Sequence, residues 1–172
     1  MTTGKLFTPA TLGNLSLANR TVMAPMTRTF SPKNVPNDLV VEYYRRRAAG
    51  GVGLIVTEGT YVNHIAASGY DNVPTFYGEE ALAGWKKVVD AVHAEGGKIC
   101  MQILHSGRYG YHPFAVSASA VKAPISPFKP KALSARGVRN TISELWLGLS
   151  QIKLLDFRLI SLETSLQNRP LH

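Results

Sequence analysis

The sequence predicts an α/β fold: an incomplete TIM (β/α)8 barrel made of the first three to four βα units, preceded by an N-terminal hairpin. Three observations carry this. Short apolar runs at residues 19–26, 53–57 and 98–104 lack polar alternation, as strands buried on both faces do. Amphipathic stretches separate those runs, so strand and helix alternate as in parallel βαβ units. The chain has 172 residues, whereas a complete eight-stranded barrel typically needs about 250.

In chain order, residues 4–17 hold two apolar pieces around Pro9 and Gly13-Asn14, the pattern of a small hairpin or an irregular lead-in. The first strand should end at Pro25, because a proline cannot donate to a sheet ladder. Asp38 is placed to cap a helix through about Ala49, with Val40, Val41, Tyr44 and Ala48 on one side and Gly50-Gly51 as its stop. The clearest helix covers residues 79–94. Leu82, Trp85, Val88, Val89 and Val92 form its stripe, Glu79-Glu80 favour its N-terminus, and Gly96-Gly97 end it. After the third strand comes a Pro-rich loop. Ser134 then caps another helix, whose apolar face is expected to hold Val138, Ile142 and Leu145.

An open doubly wound sheet would show the same order. Ala24-Pro25-Met26-Thr27 has none of the glycines of a dinucleotide-binding turn, which tilts the reading toward a barrel.

Composition narrows the function classes. The net charge is +8, but no basic stripe is interleaved with aromatics, and Arg45-Arg46-Arg47 falls on a helical pattern as a solvated face. Nucleic acid is therefore not an expected partner. No run approaches the roughly 20 apolar residues of a membrane span, and the first residues lack a secretory apolar core. The expectation is a cytoplasmic chain with no membrane partner. Cys100 is the one cysteine, which leaves no internal disulfide framework and no Cys-based metal cluster. It should pack as a small hydrophobe.

In a barrel of this kind, chemistry sits at the C-terminal ends of the strands. Three clusters fall there: Pro25-Met26-Thr27-Arg28, Glu58-Gly59-Thr60, and Gln102 with His105-Ser106-Gly107-Arg108. They show no metal-ligand spacing, no paired carboxylates and no convincing Ser/His/Asp set. What they offer is a hydroxyl, a side-chain amide and glycine-freed backbone, a set suited to the edge of a flat heterocycle.

These residues also carry a family likeness. Met23-Ala24-Pro25-Met26-Thr27-Arg28, Val35-Pro36-Asn37 and Tyr43-Tyr44 with Arg47-Ala48 resemble the Old Yellow Enzyme family of NADH:flavin oxidoreductases. The likeness continues in order through residues 53–59, 97–108, 118–120, 124–125 and 132–134. Residues 102–111 are most similar to its 2,4-dienoyl-CoA reductase-like branch. The resemblance implies a flavoprotein: an FMN-dependent NAD(P)H oxidoreductase of the ene-reductase type, passing hydride from the flavin to the activated C=C bond of a small enone or enoyl substrate. It places Gln102 at the pyrimidine edge of the flavin and Thr27 at the O4/N5 edge, where a donor tunes the potential. Pro25, Met26 and Gly59 would pack on the ring. His105 and Arg108 belong to the pattern too, although His105 also suits a purely structural hydrogen bond within its own loop. Tyr109 and Tyr111 are expected to pack that loop, and His64, His93 and His172 to lie at the surface.

The pattern breaks near residue 145. The strand that carries the proton donor in the family has no counterpart in residues 146–172, so no catalytic residue is assigned. Two segments are expected: residues 1–145, the N-terminal half of the barrel domain, and residues 146–172, a divergent tail of the kind a frameshift or mis-spliced exon leaves. The alternative to a truncated oxidoreductase is a non-catalytic barrel remnant, unstable or paired with another chain, because half a barrel leaves two strand edges open.

Overall fold

The computed structural model describes residues 3–155 and residue 157. The tail expectation for residues 158–172, and the surface expectation for His172, therefore lie outside the described residues.

The chain opens with the expected hairpin, β1 (Ala10–Leu12) antiparallel to β2 (Leu15–Leu17), turning at Gly13 with φ of 58°. Then β3 (Val22–Met23), α1 (Asp38–Ala49), β4 (Leu54–Tyr61), α2 (Glu79–Ala94) and β5 (Ile99–Leu104) form two right-sized βαβ steps. The sheet order is β3-β4-β5, parallel throughout. Among the described residues both β3 and β5 are edges, and the barrel is not closed. In the Pro-rich stretch a two-residue ladder joins β6 (Val116–Ser117) and β7 (Lys131–Ala132) before α3 (Ala135–Leu154).

The two faces of the sheet are packed differently. Ile55, Ile99, Met101 and Ile103 face α1 and α2, where Val40, Tyr44, Trp85, Val88, Val89 and Val92 complete the main core. Leu54, Val56 and Cys100 face the other way and are covered by Leu15 and Leu17 of the hairpin. Cys100 thus sits in an apolar layer as expected, and burial pushes its thiol up to about 11.

Four sequence expectations need correction or refinement. Asn37, not Asp38, caps α1: its backbone is extended, and its side-chain oxygen accepts from the N–H groups of Leu39 and Val40 at 3.1 and 3.2 Å. The first strand is shorter than residues 19–26, because pairing stops at Met23. The second is longer than residues 53–57 and runs to Tyr61. Ser134 does cap α3, accepting from the Gly137 N–H at 3.1 Å, but Val138 and Ile142 are exposed. The inward face of α3 is one turn further along, at Leu145, Gly148 and Leu149.

Helix α3 runs without a break across residue 145. Gly148 is buried against Phe76, where any Cβ would collide with the ring, and Phe157 is buried beside Trp85. Residues on both sides of position 145 share one core.

Candidate functional site

The site is shaped by an irregularity in β4. Val56 pairs with Cys100 and Gly59 with Gln102, so Thr57 and Glu58 together oppose Met101. This is a β-bulge, and the extra residue reverses which face each later residue occupies. Before it, Leu54 and Val56 point away from the helices. After it, Gly59 and Tyr61 do so, level with Gln102 and Leu104. The hydroxyl of Thr57 fills the gap in the ladder by accepting from the Gln102 N–H at 3.0 Å. A Cβ on Gly59 would lie 2.6 Å from Leu104 Cδ2, so the missing side chain keeps this patch of the sheet low.

The same bulge turns Glu58 toward α1, where it is fully buried. The Tyr44 hydroxyl accepts from the Glu58 N–H at 2.8 Å and donates to Glu58 Oε1 at 3.4 Å. Burial first, and the Glu58 carboxylate second, push the Tyr44 phenol well above its ordinary range, so it remains a donor. Arg28 supplies the countercharge. Its main-chain N–H donates to Glu58 Oε2 at 3.2 Å, its Nε donates to Oε1 at 3.2 Å, and its Nη2 also reaches Oε1. The Arg28 guanidinium stacks 3.6 Å from the centroid of Tyr43, and Arg47 stacks 3.5 Å from the same centroid. Two guanidinium groups that close to one ring must occupy opposite faces.

This contact fixes the loop after β3 beside the β4 bulge. Pro25, Met26 and Thr27, just before Arg28, are all exposed. Gln102 is half-buried, and its side-chain amide has no partner among the described residues. Of the five residues expected at the ring, Gly59 and Gln102 are brought level by strand register, while Pro25–Thr27 are held alongside through Arg28. Arg28 and Glu58 both fall in the strand-end clusters of the sequence, which assigns neither a role. The available signal was a carboxylate at the end of an otherwise apolar strand, which demands a buried cationic partner.

The loop after β5 holds His105 half-buried, with Nδ1 accepting from the Gly107 N–H at 3.0 Å, so the structural hydrogen bond expected of it is present. Its ring lies 5.5 Å from that of His64, which is half-buried rather than at the surface, and its Nε2 is buried with no partner among the described residues. Burial, followed by the neighbouring His64, lowers its pKa from the ordinary 6.5. Tyr111 packs its loop as expected: its hydroxyl donates to the Ile125 carbonyl at 2.9 Å, and its ring meets Tyr70 at 5.5 Å. A cleft of about 520 Å³ opens further out, lined by Thr29, Tyr70, Asp71, Tyr111 and His112 among others; none of the five expected residues lines it. Among the described residues, no group of three or more His, Cys, Asp or Glu is placed to hold a metal ion, and no helix is long and apolar enough to cross a membrane.

Parallel strands alternating with helices, with an open polar edge at the strands' C-terminal ends, fit part of a β/α barrel. The comparisons make that specific. The profile of the NADH:flavin oxidoreductase / NADH oxidase family matches residues 5–146, and the chain belongs to that family. It is 37% identical over 147 residues to the NADP-dependent oxidoreductase lnbE of Aspergillus flavus, covering 81% of this chain and 39% of that one. It is 41% identical over 131 residues to 12-oxophytodienoate reductase 7 of Oryza sativa subsp. japonica, covering 76% of this chain and 32% of that one. Among solved structures, morphinone reductase in complex with tetrahydroNAD superposes with a TM-score of 0.84 at 35% identity, over 88% of this chain and 47% of that one. The chain thus spans about two fifths of the length of the curated relatives it matches, or less.

Proposed function

We propose that this chain carries the N-terminal part of an FMN-dependent NAD(P)H oxidoreductase of the ene-reductase type. The observation that carries the reading is the bulge. It sets Gly59 level with the unpaired Gln102 amide on the face opposite the helices, next to the exposed Pro25-Met26-Thr27 ledge. That donor set fits FMN. A free amide offers both a donor and an acceptor to the pyrimidine edge, a hydroxyl donor faces the ring's other polar edge, and proline, methionine and glycine give flat apolar contact. The chemistry FMN supplies when bound is uptake of hydride from NAD(P)H and its delivery to an activated C=C bond. The residues of this chain bind and orient the ring; no proton donor is assigned among them.

The substrate proposed is a small enone or enoyl compound. That class embraces both the 2,4-dienoyl-CoA reductase-like branch, which residues 102–111 resemble, and the 12-oxophytodienoate reductases. The nicotinamide reductant is supported by the morphinone reductase structure with its bound tetrahydroNAD.

The test is FMN titration of the purified chain, followed by quenching of flavin fluorescence and by the visible absorption of the bound flavin. Saturable quenching that Gln102→Ala weakens by about tenfold, the worth of one buried hydrogen bond to a polar edge, supports the reading. A chain that binds no FMN overturns it for these residues.

A second reading has its own observation. Among the described residues the β3 and β5 edges are both unpaired, so the chain also suits a non-catalytic remnant that associates through those edges. Under that reading the chain is colourless and sediments as a complex or an aggregate.

A further inference from the structure

The loop that carries Thr27 has almost no anchorage of its own. Among residues 24–30, the Arg28 main-chain N–H is the only one that donates to an acceptor among the described residues, and that acceptor is Glu58 Oε2. Pro25 has no N–H to give. Thr29 sits in the left-handed region at φ 59°, a conformation that threonine does not favour. Such a backbone conformation persists only where its surroundings enforce it.

Glu58 provides that enforcement. Its carboxylate is buried at the bulge and also held by the Tyr44 hydroxyl, and it grips both the main chain and the guanidinium of Arg28. Tyr43 supports the guanidinium from beneath and is itself backed by Arg47. Thr27, one residue earlier, is left exposed with no hydrogen-bond partner of its own among the described residues. One side of the loop is tethered to the core and the other presents a free hydroxyl.

We infer that Glu58 is a positioning residue: by holding Arg28 from inside the sheet, it fixes the loop that presents the Thr27 hydroxyl to the flavin edge. The tether is a property of this chain, while its purpose rests on the FMN reading above. The ion pair suits the task because a planar guanidinium fork on a carboxylate fixes direction as well as distance.

The test uses the whole chain as Glu58→Gln and, separately, as Arg28→Lys. The lysine keeps a cation beside the buried carboxylate, and so protects folding, but loses the fork and the stacking on Tyr43. The first readout needs no flavin. Trypsin cleavage at the Arg28–Thr29 bond, followed by mass spectrometry, is expected to be slow in the wild-type chain and roughly tenfold faster in Glu58→Gln, as a locally opened loop requires. In Arg28→Lys, trypsin still recognises the new side chain, and cleavage before Thr29 should proceed at an intermediate rate. Far-UV circular dichroism must stay unchanged in both variants.

The second readout is FMN affinity in a double-mutant cycle with Thr27→Ala. Glu58→Gln is expected to weaken binding in the wild-type background and to add little once Thr27 is alanine, because both changes remove the same contact. Unchanged cleavage before Thr29, or fully additive losses, overturns the positioning role. Accelerated cleavage in a chain that binds no FMN leaves the tether standing and removes the proposed function instead.

Discussion

Phe157 meets Trp85 edge-on, with ring centroids 5.8 Å apart and planes at 69°. The indole N–H of Trp85 is already spent on the Thr75 carbonyl at 2.9 Å, so Phe157 presses a fixed ring. The residue beyond α3 therefore closes the core that α1 and α2 build over the sheet. Phe157→Ala is expected to lower unfolding stability by about 3 kcal/mol, as for other buried aromatic truncations. Urea denaturation followed by tryptophan emission reads it. A loss below about 0.5 kcal/mol would show that the segment after residue 145 is not part of the folded unit.

Gly148 provides an independent check on the same packing. Adding a methyl there drives it into the Phe76 ring. Gly148→Ala should therefore cost about 1–3 kcal/mol, the range of overpacking, although alanine is the better helix former by nearly 1 kcal/mol. A stabilised variant would place α3 away from Phe76.

Much of this fold can be read directly from residue patterns. The stripe Trp85, Val88, Val89 and Val92 gives α2 its limits because a 3.6-residue period leaves one solution for a helix on a sheet. The inward face of α3 is less legible. Val138 and Ile142 fall at helical spacing with Leu145, yet the core accepts Leu145, Gly148 and Leu149, because close approach to Phe76 needs a glycine rather than a large apolar residue. At the candidate site, Gln102 and Gly59 are recognisable by type. Their alignment is not, since it depends on an extra residue in β4 that no periodicity reveals. Arg28 and Glu58 are thirty positions apart in sequence, and only the parallel pairing of β3 with β4 makes them neighbours.

His105 predicts a pH dependence. Its pKa is held below the ordinary 6.5, chiefly by burial and then by His64, with His112 adding to the effect. Above 6.5 the ring is neutral in both folded and unfolded chains, and its contribution to stability is complete. As pH falls below 6.5 the unfolded chain takes the proton first, so stability declines through the acid side of neutrality. Chemical denaturation at pH 7.5 and pH 5.5 should show this decline, and His105→Asn should reduce it. An identical pH profile in that variant would assign the decline to other groups.

Cys100 should be chemically silent. Its thiol lies in the apolar layer beneath the hairpin and is pushed up to about 11. At pH 8 the thiolate is scarce and sheltered, so iodoacetamide should modify the folded chain at least about a hundredfold more slowly than the urea-unfolded chain. Equal rates would mean that the Leu15–Leu17 cover is open in solution.

Tyr44→Phe removes the hydroxyl that serves both the Glu58 N–H and Glu58 Oε1. With the bulge N–H left unpaired in a dry interior, the cost should be about 1–3 kcal/mol, measured by thermal or urea unfolding. A neutral substitution would show that water reaches Glu58.

The extra residue in β4 divides one strand into two territories. Below it, side chains obey the alternation that packs hairpin against sheet and helix against sheet; beyond it the order is inverted, and the carboxylate and the glycine exchange sides. Paired without the bulge, Thr57 would oppose Met101 and Glu58 would oppose Gln102, and the lower strand would be unchanged. Glu58 would then point away from Tyr44, and Gly59 would turn toward the helices. One extra residue thus lets a single segment serve the core at one end and shape the candidate site at the other.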